Sequence, residues 1–98
     1  MASEFAYDKV VYPSFVFPYI RPSKFGAIAR LHGIDVGAID RCRVLEIGCG
    51  DGANLMSIAY AMPDSDCVGF DLSGERIEEA KDGAREVGIS NAAFYEMD

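Results

Sequence analysis

The sequence is short of the residues that build metal sites and disulfide frameworks. It has one histidine and three cysteines among 98 residues, and Cys42, Cys49 and Cys67 show no C-x-x-C spacing. Without a cluster of cysteine and histidine, a metal site is not expected. An odd number of scattered cysteines favours reduced thiols, so we expect a cytoplasmic protein.

Basic residues are also scarce. Nine lysines and arginines stand against sixteen acids, which gives a formal net charge of -7. Such a surface repels phosphate groups, so we expect no nucleic acid or membrane to bind through this portion. No apolar run approaches the roughly 18 residues of a membrane helix. The first residues lack the basic cluster and apolar run of a signal peptide.

Half of the residues are hydrophobic, which is sufficient for a packed core. The length allows one domain at most, and its first part looks irregular. Pro13, Pro18 and Pro22 forbid a continuous helix or a central strand over residues 1–21. We therefore predict an arm whose aromatic residues pack on the domain that follows. Pro22 suits the first turn of a helix, which we predict to stop at Gly33.

Strand and helix patterns alternate after this arm. Residues 43–47, 67–71 and 92–96 are short apolar segments typical of buried strands. Between them lie two helical apolar stripes, formed by Leu55, Ile58, Ala59 and Met62 and by Ile77, Ala80, Ala84 and Val87. The β-α-β-α-β order predicts an α/β fold, the first half of a doubly wound parallel sheet. We assign residues 1–40 to the arm and helix, and residues 41–98 to a partial ligand-binding domain.

The sharpest signal is a glycine-rich turn where the first strand passes into a helix. Gly48, Gly50 and Gly52 alternate there, and glycine allows positive φ and close approach of a ligand to bare backbone. Open α/β sheets bind ligands at this kind of position. A plain tight turn would not require three glycines.

Two ligand classes fit this turn to different degrees. Gly48, Gly50 and Ala53 satisfy the looser form of the dinucleotide fingerprint, so an NAD-dependent oxidoreductase is one alternative. Glu46 lies two residues before the first glycine, however, where a carboxylate would repel a pyrophosphate. A ligand that carries positive charge and no phosphate suits the acid better.

Residues 44–52, an acid followed by three alternating glycines, resemble the first motif of class I (Rossmann-like) S-adenosylmethionine-dependent methyltransferases. In that family the loop passes beneath the methionine and ribose portions of the cofactor. Residues 68–73 resemble the second motif, which implies that Asp71 accepts the ribose hydroxyls. Residues 94–98 resemble the third, which implies that Asp98 accepts from the adenine amino group while the Met97 N–H meets a ring nitrogen.

The resemblance implies a set of residues that bind S-adenosylmethionine or S-adenosylhomocysteine: Glu46, Gly48, Cys49, Gly50, Gly52, Asp71, Leu72, Met97 and Asp98. Cys49 is expected to be a small residue in a crowded turn rather than a nucleophile. The arm is similar to the lead-in of bacterial methyltransferases that carry a regulatory domain after the catalytic one. An aromatic residue of such an arm, Tyr7, Tyr12 or Tyr19, would either cover the cofactor or pack in the core.

The resemblance implies transfer of a methyl group to an acceptor that these residues do not specify. Family members place their acceptor-binding residues and any base after the fourth strand, so the catalytic residues are expected beyond Asp98. A non-catalytic interaction module is the third alternative. In this family the first strand lies in the middle of the sheet. Without a fourth strand it becomes an unpaired edge, and we expect self-association through it.

Overall fold

A computed structural model describes residues 15–98. A single 3-10 turn at Pro18–Ile20 leads into helix α1, Pro22–Leu31. Three strands then alternate with two helices: β1 Arg43–Ile47, α2 Ala53–Ala61, β2 Asp66–Asp71, α3 Gly74–Val87 and β3 Ala92–Glu96. The strands pair in parallel in the order β1-β2-β3, so the predicted fold class is confirmed. Among the described residues, no helix is long and apolar enough to cross a membrane.

The core lies on one face of the sheet, beneath α2 and α3. Cys67 and Phe94 point to this face from β2 and β3, and they meet Leu55 from α2 and Ile77 from α3. Burying Leu55, Ile77 and Phe94 contributes roughly 1.5–3 kcal/mol each. Gly69 lies on the same face, where a Cβ atom would come within 2.9 Å of Leu55 Cδ2. The two layers therefore pack closely at the middle strand.

The opposite face of the sheet is open within the described residues. Leu45 and Ile47 are 59% and 73% exposed, and Tyr95 on β3 is half exposed. Parallel sheets are normally covered on both faces, because their strands carry apolar residues on both sides. Residues 43–47 form a strand as expected, but the expectation of a buried strand is wrong for β1 within residues 15–98, because Val44 packs against the core while Leu45 and Ile47 are exposed.

Helix α3 begins and ends with the expected signals, but its last apolar residue does not pack. The Ser73 Oγ accepts the Arg76 N–H, and Gly88 has φ 75° at the carboxyl end. Val87 is 66% exposed, so its place in the predicted stripe is wrong. Gly88 reverses the chain, the Ile89 N–H donates to the Ala84 C=O, and Ile89 packs on the core instead.

The arm is less buried than predicted. Phe15 and Tyr19 are exposed. Each of their rings packs against the ring of Phe17, with centroid distances of 5.9 Å for Phe15 and 5.8 Å for Tyr19. The expectation that the aromatic residues bury themselves on the domain is therefore wrong for Phe15 and Tyr19. Tyr7 and Tyr12 lie outside the described residues, and Tyr19 lines neither the core nor the cavity at the ends of the strands, so neither role expected for it is seen.

One side chain that the sequence did not single out holds the turn between α2 and β2. The Asn91 Nδ2 donates to the C=O groups of Ala59, Met62 and Ser65, at 3.0, 3.1 and 3.0 Å. Carbonyls at the end of a helix have no partner within the helix. Asn91, at the entrance of β3, therefore adds side-chain donors to the end of α2 and to its following turn.

We predict that Asn91→Asp lowers the free energy of unfolding by about 1–3 kcal/mol, because a carboxylate cannot donate to these three carbonyls. Urea unfolding followed by circular dichroism measures the change. Ser90→Ala, at the exposed neighbouring position, is the control and should leave the midpoint unchanged. Equal stability of the Asn91→Asp variant and the unmodified protein would contradict this role.

Candidate functional site

A cavity of about 560 Å³ opens where the three strands end at their carboxyl edge. This volume is within the range of ligand pockets, and the place is the one where open α/β sheets bind ligands. Its wall is formed by residues of the arm, the turn after β1, the ends of β2 and β3 and the first turns of α2 and α3: Phe15, Phe17, Glu46, Ile47, Gly48, Cys49, Gly50, Asp51, Asn54, Phe70, Asp71, Leu72, Ser73, Arg76, Met97 and Asp98.

The cavity brings together all the predicted binding residues except Gly52. Residues from three separate segments, at 46–50, 71–72 and 97–98, meet there because the parallel strands end at the same edge. The register sets Ile47 beside Phe70 and Asp71 beside Glu96, so the residues that follow each strand converge.

The first two glycines of the turn present bare backbone to the cavity. Gly48 and Gly50 have φ 71° and 59°, and a Cβ atom at either would have no neighbour within 4 Å. The turn is anchored to β2, because the Phe70 C=O accepts the N–H groups of Gly48 and Cys49 at 2.8 and 3.1 Å. Open space beside a fixed backbone is what close contact with a ligand requires.

Gly52 has a different role from the one that the resemblance implied. It is buried with φ 81°, and a Cβ atom there would lie 2.7 Å from Phe94 Cε1 and 3.0 Å from the Ala80 Cβ. The space beside this glycine is filled by the core and not by the cavity. The expectation that Gly52 contacts a ligand is therefore corrected, since this glycine lets α2 start close to the sheet and to α3.

The Asp71 carboxylate organises the turn as well as facing the cavity. Its Oδ2 accepts the Gly50 N–H at 2.9 Å, and its Oδ1 accepts the Ser73 N–H at 2.9 Å. Each carboxylate oxygen has two lone pairs, so both can accept a further hydrogen bond. Asp71 therefore supplies two acceptors to the cavity from a position fixed by two backbone groups.

The expected role of the Met97 N–H is wrong. This N–H donates to the Asp71 C=O at 3.0 Å, which continues the ladder between β2 and β3 beyond its last paired residues. It is therefore not available for a ring nitrogen of adenine. The half-exposed Met97 side chain still lines the cavity, next to Asp98.

Asn54 is a cavity residue that sequence reasoning missed. Its side chain is 4% exposed. Its Nδ2 donates to Glu46 Oε2 at 3.3 Å, and its Oδ1 accepts the Phe17 N–H at 2.8 Å. Asn54 stands four residues before Ile58 and therefore lies on the buried face of α2. A polar residue at a position of the apolar stripe was the sequence signal that could have revealed it.

Burial in the cavity wall raises the pKa of two groups. Burial raises the pKa of Glu46, while the hydrogen bond from Asn54 acts in the opposite direction. Cys49 is 6% exposed. Burial, together with the charges of Asp71 and Glu46, raises the pKa of its thiol to about 12. A thiol in these surroundings stays protonated at neutral pH, which agrees with the inert role expected for it.

Negative charge dominates the cavity wall. Glu46, Asp51, Asp71 and Asp98 contribute carboxylates, and the cationic side chain in the described wall is that of Arg76. Arg76 is itself paired, with its Nη1 3.0 Å from the Glu79 Oε2 and its Nη2 3.5 Å from the Glu75 Oε1. The wall therefore favours a ligand with positive charge. No group of three metal-ligating side chains occurs among residues 15–98.

Known proteins resemble this chain over most of its length. An uncharacterized protein of Rickettsia prowazekii, RP789, is 35% identical over 89 residues, which is 91% of this chain and 16% of that protein. The solved structure of PKMT2 from Rickettsia typhi in complex with AdoHcy matches with a TM-score of 0.85 and 34% identity, over 90% of this chain and 17% of that one.

A third relative is similar over a shorter segment. Aklanonic acid methyltransferase DauC of Streptomyces is 44% identical over 57 residues, which is 57% of this chain and 26% of the enzyme. The chain thus spans between about a sixth and a quarter of the length of these relatives.

The methyltransferase domain family matches residues 39–98, a segment that contains all three strands and every predicted binding residue. Together with the parallel sheet, the positive-φ glycines and the acid at the end of β2, this match establishes that the chain belongs to the methyltransferase domain family, in its class I, Rossmann-like form.

Proposed function

We propose that the cavity binds S-adenosylmethionine, or its product S-adenosylhomocysteine, and that the protein transfers a methyl group to an acceptor. The observation that carries this proposal is the meeting of the bare backbone at Gly48 and Gly50 with the Asp71 carboxylate. The bound cofactor would supply an electrophilic methyl group, whose bond to sulfur breaks as the acceptor's lone pair attacks. The residues of this protein bind and orient the cofactor, and proximity supplies much of the rate.

The ribose would lie against Asp71. Each of its carboxylate oxygens already accepts one backbone N–H and keeps a lone pair, so the two oxygens can accept two vicinal hydroxyls. The two N–H groups hold the carboxylate still, and no side chain has to be reordered when the ligand binds. We propose Asp71 as the main polar contact of the adenosyl group.

The amino-acid end of the ligand would lie toward Glu46 and the bare backbone of Gly48. A sulfonium and an ammonium both carry positive charge, and the wall is rich in carboxylates. Opposite charge within about 4–6 Å favours the ionised carboxylate, so the ligand would lower the raised pKa of Glu46. At the other end, Leu72 and the Met97 side chain would pack on the adenine, and Asp98 would accept from its amino group.

Binding of a nicotinamide dinucleotide is disfavoured by the start of α2. Dinucleotide folds place the pyrophosphate at this helix N-terminus. Here the Asp51 Oδ1 accepts the Ala53 N–H at 3.2 Å, so a carboxylate already occupies that end of the helix. With Glu46 and Asp71 also nearby, a pyrophosphate would meet like charge instead of open N–H donors. An interaction module without a ligand would leave the bare glycine backbone unexplained.

Two further assignments accompany this function. We propose that residues 41–98 form the cofactor-binding portion and residues 1–40 an accessory arm, which the start of the family match at residue 39 supports. We also propose a reducing compartment such as the cytoplasm. Cys42, Cys49 and Cys67 are free, which supports it.

We predict that the protein binds S-adenosylhomocysteine and not the reduced nicotinamide dinucleotide, as measured by isothermal titration calorimetry. Asp71→Asn should weaken S-adenosylhomocysteine by about 1.5–3 kcal/mol, the range for hydrogen bonds to a charged group. The matched control is Asp66→Asn, at the exposed opposite end of the same strand, which should bind normally. Tight dinucleotide binding, or full affinity in a folded Asp71→Asn variant, would contradict the assignment.

Cys49 is proposed to take no covalent part in the reaction. The thiolate is the reactive form of cysteine. With the pKa of Cys49 raised to about 12, thiolate at pH 8 is on the order of 1,000-fold scarcer than for an ordinary thiol.

We therefore predict that iodoacetamide at pH 8 labels the partly exposed Cys42 at least about 100-fold faster than Cys49. Mass spectrometry of peptic peptides, with the labelled cysteine assigned by fragmentation, gives both rates from one sample. Labelling of both cysteines at similar rates in the folded protein would show that the cavity does not protect Cys49.

Self-association is proposed to occur through β1. This strand lies at the edge of the sheet formed by the described residues, and Leu45 and Ile47 are exposed on it. An unpaired strand edge is a template for pairing with another molecule, and neither proline nor lysine lies within β1 to prevent it.

We predict that sedimentation of the isolated protein shows association that increases with concentration. Leu45→Lys should reduce it, because a charge on an edge strand opposes pairing. Tyr60→Lys adds the same charge at an exposed position on α2 and should leave association unchanged. A monodisperse monomer at high concentration would refute the proposal.

A further inference from the structure

The side-chain amide of Asn54 joins two parts of the cavity wall that are far apart in sequence. Asn54 lies in the first turn of α2 and is 4% exposed. Its Oδ1 accepts the Phe17 N–H at 2.8 Å, and its Nδ2 donates to Glu46 Oε2 at 3.3 Å. A buried amide is costly unless it is hydrogen-bonded. Both ends of this one find their partners in the cavity wall.

One of those partners belongs to the arm. Phe17 immediately precedes the 3-10 turn Pro18–Ile20. Phe15 and Phe17 both line the cavity. Within residues 15–98, the bond from Phe17 to Asn54 is the hydrogen bond that connects residues 15–21 to the sheet and its two helices. The aromatic wall is therefore tied by a hydrogen bond to this amide.

The other partner is the acid proposed to face the ligand's cationic end. Glu46 has a raised pKa because it is partly buried, and the Asn54 N–H group opposes this by favouring the ionised form. The amide takes no part in holding the start of α2, where Gly52 is the N-cap and the Asp51 Oδ1 accepts the Ala53 N–H. Its hydrogen bonds go to Glu46 and Phe17 instead.

We propose that Asn54 is a positioning residue that couples the arm to Glu46. When Glu46 takes up the ligand's ammonium group, the amide is fixed through its Nδ2, and its Oδ1 then holds the Phe17 segment more firmly against the cavity. Coupling between two contacts is reciprocal, so the ordered arm also favours the cationic ligand. This inference rests on the proposed function, and it assigns a role to Asn54 that the cofactor contacts alone do not require.

The first experiment uses the unmodified protein, kept dilute enough to limit association. Amide hydrogen exchange at Phe17 is measured by NMR with S-adenosylhomocysteine and with 5′-methylthioadenosine, an adenosyl ligand without the amino-acid end. We expect S-adenosylhomocysteine to slow the exchange at least about fivefold, the lower end of typical coupling, and 5′-methylthioadenosine to leave it nearly unchanged. Equal slowing by both ligands at saturation would overturn the coupling.

The second experiment uses variants and calorimetry. Asn54→Leu should weaken S-adenosylhomocysteine roughly 10-fold or more, since an oriented bond to a charged group is lost. It should change the affinity for 5′-methylthioadenosine by less than about twofold, because this ligand has no amino-acid end to contact Glu46. Glu46→Gln should show the same selectivity, and the double variant should lose little more than either one, because residues that act together are not additive.

Ser57→Ala is the matched control, because the Ser57 hydroxyl donates to the backbone C=O of Asn54 at 2.7 Å and not to the side-chain amide. It should leave the affinities for both ligands unchanged. If Asn54→Leu weakens both ligands equally, the residue is merely structural and the inference fails. If the unmodified protein binds neither ligand, the proposed function itself fails, which is a distinct result. Should Asn54→Leu not fold, the exchange experiment and Glu46→Gln still decide.

Discussion

The carboxylate of Asp71 holds the cavity together, because three segments of the protein are bonded to this one residue. It accepts the Gly50 N–H from the turn after β1 and the Ser73 N–H from the start of α3. The backbone carbonyl oxygen of Asp71 accepts the Met97 N–H from the end of β3. Asp71 lies at the end of the central strand, where these segments arrive from both sides. Gly50 has a left-handed φ and donates its N–H to that carboxylate, so the residue that shapes the turn also holds Asp71 in place.

The acidic character of the cavity follows from how its carboxylates are held. Backbone N–H groups stabilise Asp71 and Asp51, and the Asn54 amide stabilises Glu46. Negative charge in this small space still repels further negative charge, because the charges of Asp71 and Glu46 add to the effect of burial in raising the pKa of the Cys49 thiol. A cation would relieve this repulsion and a phosphate would add to it. The same arrangement thus favours a cationic nucleoside derivative and disfavours a dinucleotide with its pyrophosphate, although the glycine spacing alone permits both.

The two faces of the sheet differ for a physical reason. On one face, small residues such as Gly69 and Ala80 allow α2 and α3 to approach closely and bury Phe94. On the other, Leu45 and Ile47 have no layer above them within the described residues. Helix α1 does not cover them, since its N-terminal residues lie near the end of α2 instead. Within residues 15–98, the buried core is therefore formed by two layers, the sheet and helices α2 and α3.

The sequence by itself determined the elements and the place of the cavity, because both follow from local rules. Strand residues 43–47 and 92–96, the Ser73 cap and the Gly88 stop depend on near neighbours, and the structure has them where they were predicted. The residues after three parallel strands had to meet at one edge. What only the tertiary structure decided concerns contacts between distant segments.

Gly52 looks like its two neighbouring glycines in the sequence, yet Phe94 and Ala80 occupy the space beside it. The Met97 N–H is engaged because β3 pairs one bond further with β2. Sequence reasoning assigned no role to Asn54, whose side-chain amide bonds Phe17 and Glu46, 37 and 8 residues away along the chain. Hydrogen bonds and close packing are fixed by distances of a few tenths of an ångström, and a pattern of residue types cannot specify such distances.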